Sequence, residues 1–154
     1  MRIYLPATLD ELDALTGPGS ALAPRAAFAV TPALRVALPD EDEEGLEFAA
    51  HLSAADASYA LLADRADAPR LRLVVTADLP DAAVHPAVGE TGDVCEVRVD
   101  APVPFDFVAC VHVDEPAASV DVVAALAGDA AARERIEEAD LLWYDVSELG
   151  DIPR

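Results

Sequence analysis

Apolar positions along this chain recur in two rhythms, a period of two and a spacing of three to four, and the two alternate along most of its length. Arg2 to Leu5 reads as a short opening strand. Thr8-Leu9-Asp10-Glu11 fits the T-x-x-E capping box, in which the threonine side chain serves a helix amide and the glutamate returns to the cap amide. A short helix to about Leu15 is predicted, stopped by Thr16-Gly17-Pro18-Gly19. Ala26 to Val30 is a second strand. It ends at Thr31-Pro32, where threonine suits a helix cap and proline a first helical position.

The longest helical stretch runs from about Glu43 to Asp64, with Leu46, Ala50, Ser53, Ala57 and Leu61 as its packing stripe. The acids at its start complement the positive end of the helix dipole. Leu71 to Ala77 is a strongly apolar strand. Asp93 to Val99 and Phe105 to Val113 are two more, read as a hairpin joined through Asp100-Ala101-Pro102-Val103-Pro104. In the second, Phe105, Phe107, Ala109, Val111 and Val113 face one way, and Asp106, Val108, Cys110 and His112 the other. Helices over about 116–127 and 129–140, divided by Gly128, lead to a closing strand, Leu141 to Val146. The expected architecture is α/β: a single domain over residues 1–154, with a mixed sheet of about five to six strands covered by helices.

Two junctions echo each other. Val75 to Val84 aligns without gaps on Val111 to Val120, each a strand followed by Asp, one residue and Pro. Duplication produces such an echo, and so does convergence on one junction chemistry, in which aspartate caps orphan amides and proline occupies the first turn.

Charge narrows the function classes. Ten basic residues oppose 30 acidic ones, a formal net charge of −20. Every basic residue is arginine, and the chain has no lysine, asparagine or glutamine, while alanine makes up about a fifth of it. GC-rich coding accounts for that bias; a salt-adapted surface or a nucleic-acid mimic are its rivals. A surface this negative repels phosphate backbones and anionic lipid headgroups, so neither nucleic acid nor membrane is an expected partner. The opening Met1-Arg2-Ile3-Tyr4-Leu5-Pro6 lacks the apolar stretch of a signal peptide, and no apolar run approaches the ~20 residues of a bilayer span. Cys95 and Cys110 form no C-x-x-C pair and read as buried free thiols of a cytoplasmic protein.

Candidate chemistry is sparse. Asp40, Asp42, Glu44 and Gly45 match a calcium loop at positions one, three, five and six, but His51 stands where the bidentate glutamate belongs. The run therefore reads as a solvated helix N-terminus. His112 and Cys110 share a strand face, with Cys95 a candidate neighbour, which would allow a zinc site or a Cys/His nucleophile pair. His51 and His85 fall in no metal-spaced pair, no phosphate-binding glycine loop is present, and Ser147 lies in no G-x-S-x-G elbow. Thr31, Asp78, Asp114 and Asp145 stand near the carboxyl ends of predicted strands, where ligands bind in open α/β sheets. If their strands ran parallel and adjacent, Asp78, Asp114 and Asp145 would converge and hold Mg²⁺ for phosphoryl chemistry; otherwise each caps its own helix or turn.

The segments Arg2 to Thr8, Phe28 to Leu34 and Leu142 to Leu149 resemble an uncharacterised family of small acidic proteins from GC-rich Gram-positive, actinobacterial species. The likeness spans nearly the whole chain and implies an intracellular domain with no assigned activity. The leading expectation is a non-catalytic cytoplasmic interaction or accessory module, without cofactor, whose acidic surface meets a basic protein partner. A small Mg²⁺-dependent enzyme using the three aspartates is one alternative, and a small-molecule sensor with an apolar pocket and a few convergent polar groups is another. An exposed Trp143-Tyr144 edge would favour a dimer.

Overall fold

The computed structural model describes residues 1–87 and 93–153. In chain order the elements are β1 (Arg2–Ala7), α1 (Leu9–Leu12), β2 (Ala21–Leu22), β3 (Arg25–Phe28), α2 (Pro32–Ala37), α3 (Glu43–Asp64), β4 (Leu73–Asp78), β5 (His85–Pro86), β6 (Glu96–Val99), β7 (Val103–Pro104), β8 (Val108–Val113), α4 (Ser119–Leu126), α5 (Ala130–Glu138) and β9 (Leu142–Asp145). Four 3-10 turns, Asp81–Ala83, Phe105–Phe107, Pro116–Ala118 and Val146–Asp151, punctuate them. Seven strands form one sheet in the order β5-β6-β3-β1-β4-β8-β9, and β2 pairs with β7 in a separate ribbon. The α/β class and the single helix-covered sheet are as expected from the sequence.

Strand direction and pairing are not. Every neighbouring pair in the large sheet is antiparallel rather than mixed, and it has seven strands rather than five or six. The connections explain this. α4 and α5 form a helical hairpin, with Gly128 between them at φ +99°, where a Cβ is disfavoured; the chain thus returns to the end of β8 it left, and β9 enters antiparallel. β3 and β4 do run the same way across α3, but β1 is inserted between them, a split β-α-β arrangement.

The predicted hairpin of 93–99 with 105–113 does not form. β6 pairs with β3 and β5, and β8 with β4 and β9. Pro102 and Pro104 remove two amide donors from the connection. Val103 pairs with Leu22 instead, and the 3-10 turn over Phe105–Phe107 redirects the chain. A register shift opposite Thr76 and Ala77 brings Val108, expected on the other face, into the core.

β1 holds the centre although it carries Pro6. Its ladder with β4 covers all six residues, but that with β3 is a single pair, Tyr4 with Phe28. Proline has no amide to extend the second ladder. The Pro6 carbonyl accepts instead from Arg25 Nη1 at 2.9 Å, and the same guanidinium bonds Glu11 of the capping box. The Thr8 amide donates to Glu11 Oε2 at 3.0 Å, as the T-x-x-E pattern predicts, though α1 ends three residues earlier than expected.

One sheet face packs Ile3, Leu5, Val75 and Val111 against α1, the β2–β7 ribbon and the C-terminal turn. The other packs Tyr4, Phe28 and Val74 beneath Leu46, Ala50 and Ala54 of α3. A third cluster, Leu62, Val122, Ala132 and Ile136, joins the helical hairpin to the C-terminal half of α3. The α3 bounds match the sequence reading, but its buried stripe after Ala50 runs through Ala54, Ser58 and Leu62 rather than Ser53, Ala57 and Leu61. Ser58 is buried there because its Oγ donates to the Ala7 carbonyl at 2.8 Å and accepts from the Leu73 amide at 2.9 Å.

Candidate functional site

The second sheet face is only partly roofed. α3 covers β1, β3 and part of β4, while the α4–α5 hairpin packs on the far half of α3 instead of on the sheet. The N-terminal half of α3 therefore stands beside the bare faces of β8 and β9, and a cleft of about 430 Å³ opens between them.

Its floor follows from strand register. Tyr4 pairs with Thr76, Thr76 with Cys110, and Cys110 with Asp145; in the next row Val74 pairs with His112 and His112 with Trp143. Period two puts all these side chains on one face. The wall is an α3 stripe, Glu44, Glu47, Phe48 and His51, at spacings i, i+3, i+4 and i+7. Asp140 and Leu141 border the cleft where the chain enters β9.

Polar atoms at the base of this cleft lack partners. Thr76 is 3% exposed, and its Oγ1 has no hydrogen-bond partner. His51 Nε2 and His112 Nδ1 are also buried without one. The two imidazoles meet edge to face with centroids 4.5 Å apart, and Tyr4 meets His51 in the same manner at 5.8 Å. Burial, with His112 and Arg72 adding to it, pushes His51 down to about 4, and burial lowers His112 too. The His51 ring is thus neutral at pH 7. Burial, together with the Glu47 carboxylate, holds the Tyr4 phenol protonated well above its ordinary range.

Of the residues singled out from sequence, Cys110 and His112 share this face as expected, while Cys95 lies elsewhere. It precedes β6, four strand spacings or about 19 Å from β8. Its thiol donates to Asp93 at 3.2 Å and is pushed up to about 11 by burial, the environment of an inert structural thiol. The Cys110 thiol is not bonded to either orphaned nitrogen, His51 Nε2 or His112 Nδ1.

The three aspartates stand apart. Asp114 sits beside Arg72 at one end of β4 and Asp78 at the other end, roughly 20 Å away at the rise of a strand. Asp145, two strands across and two residues along from Asp78, is roughly 12 Å from it. Antiparallel pairing is the reason. Among the described residues no three His, Cys, Asp or Glu side chains are grouped to hold a metal ion.

Capping, expected of all four strand-end residues, holds for two. Thr31 Oγ1 accepts from the Leu34 amide at 3.0 Å and caps α2, and Asp145 accepts from the Ser147 amide at 2.9 Å. Those Ser147 bonds hold the Asp145 carboxyl below its usual value. Asp78 and Asp114 cap nothing. Each pairs with an arginine at the start of the adjacent strand: Asp78 with Arg2 at 3.0 Å, which lowers its pKa, and Asp114 with Arg72 at 2.7 Å. In the acidic run, Asp42 caps α3 by accepting from the Gly45 amide, and His51 turns toward the sheet.

The sequence reading missed Tyr4, Glu47, Phe48 and Thr76 as a set. Their signal was present, as the helical spacing of Glu44, Glu47, Phe48 and His51 and as polar residues alternating through otherwise aliphatic strands. A second hollow, of about 510 Å³, lies against 84–87 and 93–97; none of the orphaned atoms found among the described residues lines it. Among the described residues, no helix is long and apolar enough to cross a membrane.

A family model described as a family of unknown function, DUF6912, matches residues 1–152. No curated protein and no solved structure matches the chain.

Proposed function

The chain belongs to this family of unknown function, and for it we propose a small-molecule-binding role, centred on the cleft between α3 and β8–β9. One observation carries the reading: Thr76 Oγ1, His51 Nε2 and His112 Nδ1, three buried polar atoms without partners, belong to residues lining one aromatic-walled hollow. A buried polar group left unsatisfied costs about 1–3 kcal/mol. Groups that bring such a cost to one concavity with apolar walls match the usual composition of a ligand site. The free state of both thiols supports action in the cytoplasm.

Amide and indole NMR shifts during a screen of small neutral, cationic and anionic compounds test this. At least one class is expected to move the resonances of Tyr4, Thr76, Cys110, His112 and the Trp143 indole together. A screen in which no compound perturbs that set sinks the reading.

The surface supports a second role, docking of a basic protein partner. All nine described arginines donate to a carboxylate or a backbone carbonyl within the chain, among them Arg70 to the Leu62 and Ala66 carbonyls. The acidic surplus therefore faces outward with little cationic charge left to offset it. Co-purification at low salt, lost at high salt, is the expected behaviour; capture that ignores salt counts against it.

A further inference from the structure

Charge and ring chemistry narrow the class of ligand, given that the cleft binds a small molecule at all. Three carboxylates, Glu44, Glu47 and Asp140, line it beside a single guanidinium, Arg2. That guanidinium is already committed: its Nε and Nη2 donate to Asp78 at 3.1 and 3.0 Å, and its Nη1 stands 4.0 Å from Glu47. Neither imidazole offers a counter-charge either, because burial disfavours the protonated form of both. An anion entering the cleft meets carboxylates without a free cation among the described residues, whereas a cation meets Glu44 and Asp140, which form no ion pair among those residues, and Glu47, which it shares with Arg2.

The walls agree with the charges. Phe48 is 54% and Trp143 56% exposed, both lining the cleft, with Tyr4 at its floor. Aromatic faces attract cations within about 6 Å of the ring centre, and amine recognition commonly combines such rings with carboxylates. The floor contributes the independent sign of a ligand, the buried Thr76 hydroxyl that has no protein partner. We propose that the cleft takes an organic cation, a protonated amine with an apolar or aromatic body, its ammonium held by the cleft carboxylates and aromatic rings and its body lying over Tyr4, Thr76 and Cys110.

Trp143 is the sole tryptophan of the chain and lines the cleft, so its fluorescence reports on the site. The full-length protein is titrated with benzylamine and agmatine, and with benzyl alcohol and benzoate as neutral and anionic counterparts. Melting temperature serves as a second readout. The amines are expected to change Trp143 emission saturably and to raise the melting temperature, while benzoate does neither. Glu47→Gln and Asp140→Asn are each expected to weaken amine binding by about fivefold, with circular dichroism confirming that the variants fold. If benzoate or benzyl alcohol binds as tightly as the amines, or if neither variant weakens the amines, the cation assignment falls while the cleft remains a ligand site. If no amine binds although the compound screen finds other ligands, the assignment falls in the same way. If nothing binds in either experiment, both readings fall.

Discussion

Thr76, Cys110 and His112 occupy positions on the cleft face of the sheet where an aliphatic side chain, such as Val74 on the same face, would carry no polar cost. A hydroxyl and an imidazole nitrogen buried without partners reduce stability, so their presence is a property of the site rather than of the fold. His51 makes this measurable. Its pKa falls from 6.5 to about 4 on folding, because the ring is buried and lies near His112 and the Arg72 guanidinium, and so resists protonation. The unfolded chain therefore binds this proton more readily, and stability is full above pH 6.5 and declines as pH falls toward 4. His112, also lowered, acts in the same direction. Carboxylates held low by their partners, such as Asp78 and Asp145, add their loss only near and below the ordinary value of 3.8. Urea unfolding between pH 7.5 and 5 is expected to show a steeper decline for the native protein than for His51→Gln. Equal slopes would place the imidazole in solvent.

At the level of elements, the two strand ends that echo each other in sequence are fastened across strands rather than capped along the chain. Arg72 and Asp114 are each 2% exposed, with Nη2 to Oδ1 at 2.7 Å, and Arg72 Nη2 also reaches the Ala139 carbonyl at the end of α5. One pair thus ties β4, β8 and the helical hairpin together. Removing one partner leaves a buried charge uncompensated, so Asp114→Asn should cost about 3–5 kcal/mol, whereas Arg72→Met combined with Asp114→Leu should cost much less. Urea midpoints decide; a single substitution costing under about 1 kcal/mol would show that water reaches the pair. The local alternative, a capping aspartate, was the natural reading of Asp-x-Pro because capping depends only on nearby residues, whereas the partners of Asp78 and Asp114 lie 76 and 42 residues away. The same limit explains the other differences. The longer strands and helices were legible from periodicity, while the two-residue strands β2, β5 and β7 and the 3-10 turn over 105–107 were not. Which strands pair depends on remote segments, and the pairings of β6 and β8 could not be read from the eight residues between them. The stripe of α3 slipped after Ala50 because alanine occurs on every side of that helix, so its phase is set by what it packs on. Ser58 belongs to the buried side only because Ala7 and Leu73 wait there for its hydroxyl.

Across the whole molecule, thirty acidic residues face ten arginines, and the described arginines are already engaged. Two salt effects oppose each other. Screening weakens the exposed ion pairs, such as Arg35 with Glu43 and Arg135 with Asp121, but pairs this open to solvent contribute little to stability. Screening also relieves repulsion among the surplus carboxylates, which acts over a Debye length of about 10 Å at 0.1 M and grows with the imbalance of charge. With a net charge of −20 the second effect is the larger. The urea midpoint is therefore expected to rise as NaCl increases from about 0.05 to 0.5 M, with an unchanged slope of free energy on denaturant; a falling midpoint would mean that the surface pairs outweigh the repulsion. The same field draws cations toward the carboxylate-lined cleft, and there salt has the reverse effect, weakening amine binding over the range in which it strengthens the fold. Two salt dependences of opposite sign in one protein separate a site that uses the charge from a scaffold that merely bears it.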